Sequence, residues 1–247
     1  MEPGWEMLLL LLLALLAEVA GTLGGFGSSM LFVPLAGLFL EYHSVLGVTA
    51  LFHVGSNLSK IALFKDGIDR KLVFQIGLPS VLMVIAGAWL SRYANEVVLS
   101  WILGLFLVVF SALLLSGRLG VIPDNSATRY AGGSLSGFAA GLLGTGGAIR
   151  GLLLSALVLP KTVFIATSAF IDLAIDVSRS VVYVGSGFVR WNDLPLVAML
   201  LVLSFVGSWL GKKLLDRIPE QRFQQVVLLL ILFTGLFILI KAAFWAG

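Results

Sequence analysis

The chain has 247 residues, 59% of them hydrophobic and 12% charged, with a mean hydropathy of +1.06 and a net charge of +3. A soluble domain carries about twice that share of charge, and apolar runs of membrane length recur so closely that no stretch is left to form one. The small positive balance therefore gives no sign of a nucleic-acid partner, and the absence of cysteine excludes disulfides, thiolate metal sites and thiol chemistry.

In chain order, the apolar segments cover residues 7–41, 44–64, 72–91 and 97–117, then 131–159, 161–184, 193–211 and 223–245. Met7 to Ala17 has the look of a signal-peptide core, but its flank carries Glu2 and Glu6 and no base. A secretory signal needs a positive start, so this reads as a mature membrane segment. As one helix, residues 7–41 would reach roughly 52 Å, against a hydrocarbon core of about 30 Å. The segment must break, and the glycines say where. The first break reads Gly21-Thr-Leu-Gly24-Gly25-Phe-Gly27-Ser28-Ser29; the second, within 131–159, reads Gly141-Leu-Leu-Gly144-Thr-Gly146-Gly147-Ala148.

The two breaks lie about 120 residues apart, and other stretches repeat at the same interval: Gly87-Ala-Trp-Leu90 with Gly207-Ser-Trp-Leu210, Gly67-Ile-Asp-Arg70 with Gly187-Phe-Val-Arg190. Helix breakers at matching places in two apolar halves are the sequence pointer to a transporter's binding site. Unpaired backbone at membrane depth survives only where protein or a water-filled cavity surrounds it. The polar stretch Ser116 to Arg129 is the natural linker, giving a first repeat over 1–117, a linker over 118–129 and a second repeat over 130–247.

Charge decides how the halves face. If each broken segment crosses once, the loop lysines and arginines divide 7 against 6 between the two sides. If each turns back, Lys65, Arg70, Lys71, Arg118, Arg129, Lys161, Lys212, Lys213, Arg217 and Arg222 share one side, against Arg92, Arg190 and Lys241. Only the second arrangement obeys the positive-inside rule. The expected fold is an all-α polytopic membrane protein of two inverted-topology repeats, each a glycine-broken re-entrant (or two short) helix segment plus three transmembrane helices. Both termini are then non-cytoplasmic. The second half-helices, starting at Ser28 and Ala148, point positive dipole ends and unpaired N–H groups into the centre, which suits an anion.

The duplicated Gly-x-x-Gly-x-Gly-Gly type of cluster, with the matching Gly-x-Trp-Leu segments, resembles the TauE/SafE (TSUP) family of sulfite and organosulfur-anion exporters, from about Leu8 to Ala243. Phe26 stands where the second copy has Gly146. The resemblance implies transport of a small sulfur oxyanion or sulfonate across the cytoplasmic (cell inner) membrane.

The expected substrate-binding set is Gly24, Gly25, Gly27, Ser28 and Ser29 at the first break, Gly144, Thr145, Gly146 and Gly147 at the second, and Arg150 just beyond it. A charged residue at the membrane centre is costly and marks function by default. A guanidinium grips a sulfonate or sulfite with two parallel hydrogen bonds; the plainer role for Arg150 is to neutralise a buried aspartate. Asp172, Asp176 and Arg179 share one helix face and offer either a proton relay or a structural cluster. Lys60 matches Arg179 in the repeat, with Asn57 one turn before it, and either lines the pathway or snorkels to the surface. His53 is a proton shuttle or a packed core residue, and Glu18 faces either the cavity or a helix contact. Ser56, Ser59, Ser168 and Ser178 read as small residues for close packing.

The function expected is a secondary transporter of a sulfite, thiosulfate, sulfonate or sulfoacetate type of anion, working by alternating access with proton coupling. The alternatives are a proton or cation carrier and a non-transporting membrane accessory protein. No enzyme, cofactor or metal is expected: there is no phosphate-binding loop, and Ser134-Leu-Ser136-Gly137 lacks the glycine two before the serine that a nucleophile elbow has.

Overall fold

The computed structural model describes residues 4–24, 27–64, 67–117, 122–157, 159–215 and 220–245, with the backbone alone at several positions of the last range. It contains ten helices among those residues: α1 (Trp5–Gly24), α2 (Ser29–Ala36), α3 (Tyr42–Leu63), α4 (Arg70–Ser91), α5 (Glu96–Leu115), α6 (Ser126–Leu143), α7 (Gly147–Ser155), α8 (Lys161–Gly185), α9 (Trp191–Leu214) and α10 (Glu220–Trp245). α4 passes through a π turn at Val73–Gly77, and α9 opens with a 3-10 turn at Trp191–Asp193. The protein is all-α and polytopic.

Among the described residues, four helices, α1, α4, α5 and α9, are long and apolar enough to cross a membrane on length and composition alone. Their outward faces carry large exposed apolar side chains at helical spacing, such as Leu8, Leu12 and Leu16 on α1, Leu82, Ile85 and Trp89 on α4, and Val202, Phe205 and Trp209 on α9. Patches of that size fit lipid rather than water. α3 and α8 carry the polar residues and lie at the centre, where they pack along each other.

Contacts fix the helix directions. α1 runs parallel to α9, with Gly207 against Glu18 and Gly211 against Thr22; α4 runs parallel to α6, with Ile76, Ser80 and Val84 against Gly133, Gly137 and Gly141. α3 is parallel to α9, through Gly55 with Ser204 and Leu63 with Lys212. α8 is parallel to α4, through Ile171 with Gly77 and Tyr183 with Ala88. α3 and α8 are antiparallel, because Gly47 meets Phe188, Asn57 meets Asp176 and Phe64 clusters with Ile165. α5 and α10 are antiparallel as well, with Gly104 against Leu239 and Gly235 against Leu107.

The short helices turn back. α2 has 8 residues and α7 has 9, so at about 1.5 Å per residue neither spans half of a bilayer's total depth of about 40 Å. α7 folds back on α6, with Gly146 against Ser136 and Leu153 against Gly132. α2 leaves the break beside Glu18 and His53 and returns along α3, where the Phe32 ring meets that of Phe52 at a tilt of 57°. The breaks place a left-handed glycine at each turn: Gly27 at φ 82° and Gly144 at φ 78°, the latter ending α6. An L side chain is strained in that region.

With these directions, Trp5, Tyr93 and Trp191, all exposed, lie at one end of the molecule. An aromatic belt of that kind marks a membrane interface. Arg92, Arg190 and Lys241 are at the same end, while Arg70, Lys71, Arg129, Lys161, Lys212 and Lys213 are at the other.

Candidate functional site

The two breaks touch. Thr145 Oγ1 donates to Ser29 Oγ at 3.3 Å, and a Cβ on Gly27 would meet the Cα of Gly147 at 4.0 Å. Around this point Gly27, Ser28, Ser29, His53, Ser56, Asn57, Lys60, Gly144, Gly146, Gly147, Arg150, Asp172, Asp176 and Arg179 enclose one small space. Its free volume is about 20 Å³, room for about one water. The starts of α2 and α7 have no side-chain cap, and their first residues, Ser29 and Gly147, both line this space.

Glu18 is fully buried on α1 and is surrounded by donors. Ser28 Oγ donates to its Oε2 at 2.7 Å; Ser56 and Ser208 donate to Oε1 at 2.7 and 2.8 Å, and Thr22 at 3.5 Å. Lys60 Nζ pairs with Oε1 at 2.8 Å and bonds Ser56 Oγ at 2.8 Å. Lys60 is therefore buried, and the snorkelling alternative does not hold. Ser28 Oγ lies 3.0 Å from His53 Nε2, whose Nδ1 receives Arg179 Nη2 at 3.4 Å.

Arg179 is the central clamp. Its Nε donates to Asp176 at 2.7 Å, and its Nη1 donates to the carbonyls of Gly144 at 2.8 Å and Ala140 at 3.1 Å, at the end of α6. Asn57 Nδ2 donates to the other oxygen of Asp176 at 2.6 Å, tying α3 to α8 at membrane depth. Arg150, buried on α7, donates Nε to Ser168 at 3.0 Å and Nη2 to Asp172, so it does neutralise an aspartate. The α8 pair Asp172 and Asp176 thus separates, one carboxylate to each arginine.

Three cations, Lys60, Arg150 and Arg179, and three carboxylates, Glu18, Asp172 and Asp176, meet here among the described residues. If all are ionised, the cluster is neutral. Such a cluster is stable only because each charge has partners, since desolvating an isolated ion costs several kcal/mol.

Of the residues expected from sequence, Gly24 lies at the end of α1, half-buried, and does not line the space; Gly25 lies outside the described residues. Glu18 sits one and a half turns before the end of α1, deeper in the helix than a position beside the break. Thr145 reaches the site through Ser29. Sequence reasoning missed the hydroxyls of Ser56, Ser168 and Ser208, taking the first two for packing residues. Ser136, on the stretch weighed as an elbow, donates to Gly146 O at 2.8 Å and so fastens the second break.

A buried ion network where two glycine breaks meet, wrapped in apolar helices, makes this a multi-pass integral membrane protein with a polar centre. The chain belongs to the sulfite exporter TauE/SafE family, whose model matches residues 10–238. It is similar to a probable membrane transporter protein, YunE, of Bacillus subtilis (strain 168), with 29% identity over 249 aligned residues covering 85% of this chain and 87% of that one. No solved structure matches the chain. The protein is a membrane transporter.

Proposed function

We propose that the protein is a secondary transporter that moves a small sulfur-containing anion, of the sulfite, thiosulfate, sulfonate or sulfoacetate type, together with protons. The observation that carries this reading is the convergence of Lys60, Arg150, Arg179 and two uncapped helix starts on one enclosed point. Guanidinium groups and helix N-termini both favour oxyanions. Because the three cations are matched by three carboxylates, a monovalent anion enters a neutral cluster, and one proton restores neutrality. That balance is the physical reason to couple the two.

Two inverted repeats, 1–117 and 130–247 joined by 118–129, rock against each other around this point. The helix directions support the inversion: α1, α3, α5 and α9 run one way, and α4, α6, α8 and α10 run the other. So do the paired contacts, since α1 on α9 mirrors α6 on α4, and Asn57 meets its own repeat partner Asp176. The basic end is cytoplasmic by the positive-inside rule, which puts both termini on the opposite side of a cytoplasmic (cell inner) membrane.

The closed space is smaller than any of these anions, so passage requires the tips to part. One cleft, sharing Gly27, Asn57, Lys60 and Asp172 with the site, leads toward Phe164 and the basic end. A cavity of about 420 Å³ lies toward the aromatic end, between Glu41, Glu96 and Lys241. Tyr42 and Val33 line that cavity and touch Leu143 O and Gly144, which close the site on that side.

Thermal-shift titration of the purified protein with sulfite, thiosulfate and methanesulfonate tests the reading. A stabilising shift with one of them, absent in Arg150→Ala, is expected. If no anion shifts the transition while a cation does, the protein is a cation or proton carrier instead.

A further inference from the structure

We infer that Glu18 holds the coupled proton and that His53 and Ser28 deliver it, with Arg179 controlling when it enters. The inference rests on the anion reading above and adds the residues and order of the proton step.

Arg179 has donors only, so His53 Nδ1, 3.4 Å from its Nη2, accepts. The neutral ring then carries its proton on Nε2 and donates it to Ser28 Oγ at 3.0 Å, and Ser28 donates its own proton to Glu18 Oε2 at 2.7 Å. Every bond in the chain points toward Glu18. The charged groups facing it are Lys60 from α3 at 2.8 Å and, through the hydroxyl, His53; α9 presents only the hydroxyl of Ser208, and α2 only that of Ser28. On its other side His53 faces Arg179, which carries Asp176, and Lys60, Arg150 and Asp172 line the same space.

In this closed form Nδ1 is occupied by Arg179. An anion that draws the guanidinium away exposes Nδ1 to a proton from the cavity. That proton binds Nδ1, the Nε2 proton passes to Ser28 Oγ, and the Ser28 hydroxyl proton passes to Glu18. His53 ends neutral as the opposite tautomer, Ser28 is unchanged, and Glu18 is a neutral acid. Lys60 has then lost its counter-charge and becomes available to the anion. One proton and one monovalent anion enter together with no change in net charge. Asp172 and Asp176 each keep an arginine contact in this step, through Arg150 Nη2 and Arg179 Nε.

The test is proton uptake on mixing the purified protein with methanesulfonate, a monovalent anion, in weak buffer containing an indicator dye. Wild-type protein should take up about one proton per monovalent anion bound, as charge neutrality requires. Glu18→Gln should take up none, with binding that no longer depends on pH, whereas Glu6→Gln, about three turns before Glu18 on the same helix, should behave as wild type. Ser28→Ala keeps both charges and should slow uptake by about a hundredfold, so it carries the test should Glu18→Gln fail to assemble. Uptake in Glu18→Gln equal to wild type, or in Ser28→Ala at the wild-type rate, overturns the assignment. A second arm reads the same site by infrared: when methanesulfonate binds, a carboxylic-acid band should appear in wild type and be missing in Glu18→Gln. Binding without that band removes the proton site and leaves the substrate reading. If no anion binds, the substrate reading fails and this inference with it.

Discussion

At the scale of single residues, the charges in the centre have to be separated into those that hold the fold and those that act. Arg150→Ala strands Asp172 without its cation, and breaking such a pair costs about 3 kcal/mol or more. Asp172 keeps 19% side-chain exposure, which puts the cost at the low end. Replacing both members, as Arg150→Leu with Asp172→Leu, should recover most of the melting temperature and none of the anion response. Denaturation scans of the three proteins, with and without anion, check this. Recovery of the anion response in the double variant would mean that Arg150 serves only its aspartate. The charged members of the site were legible because each breaks an apolar run, and a charge at that depth stands out in any sequence. Their partners were not. Glu18 and Lys60 are 42 residues apart on different helices, and nothing in their spacing announces the pair. Ser56, Ser168 and Ser208 carry the same sequence signature whether a hydroxyl feeds a carboxylate or merely lets two helices close up.

At the scale of elements, the glycines of α6 set how near α4 can come. A Cβ at Gly133, Gly137 or Gly141 would sit 2.4, 2.1 or 2.2 Å from a backbone carbonyl oxygen of α4, well inside contact distance. Gly137→Val should force the helices apart and cost about 2 kcal/mol or more; thermal denaturation in detergent measures it. Gly185→Ala, where an added Cβ meets nothing within 4 Å, should be neutral or slightly stabilising. The glycine clusters themselves were readable as breaks, because a 35-residue apolar run cannot be one transmembrane helix. Their finer placement was not readable: α1 runs through to Gly24, since nothing in Glu18 or Gly21 forbids helix while the neighbouring α9 offers glycines to pack on. The π turn at Val73–Gly77 also leaves no periodic trace, being one residue's slip in an apolar helix that keeps its hydrophobic character throughout.

At the scale of the whole molecule, the account requires that the basic and aromatic ends face opposite compartments. The chain has no cysteine, so single cysteines report cleanly. Arg92→Cys and Arg190→Cys should react with an impermeant maleimide in intact cells, while Lys71→Cys and Arg129→Cys should react only after permeabilisation. The reverse pattern would invert the proposed orientation, and equal reactivity at both sets would contradict the helix directions. The class of fold was legible at this scale because hydropathy and the duplicated pattern span the entire chain. The closed centre was not, because it arises where α3 and α8 meet from opposite directions, and pairing across about 119 residues is a property of packing.

The claim on which the rest depends is that the three-cation centre carries an anion across the membrane with a proton. It is tested most directly by flux of labelled thiosulfate, sulfite and methanesulfonate into liposomes containing the purified protein, under an imposed pH gradient. The account predicts that at least one of them accumulates, that the gradient drives the accumulation, and that the Arg150→Leu, Asp172→Leu protein, though folded, moves none. Flux that ignores both the gradient and the double substitution, or no flux of any of the three anions through a folded protein, would contradict it.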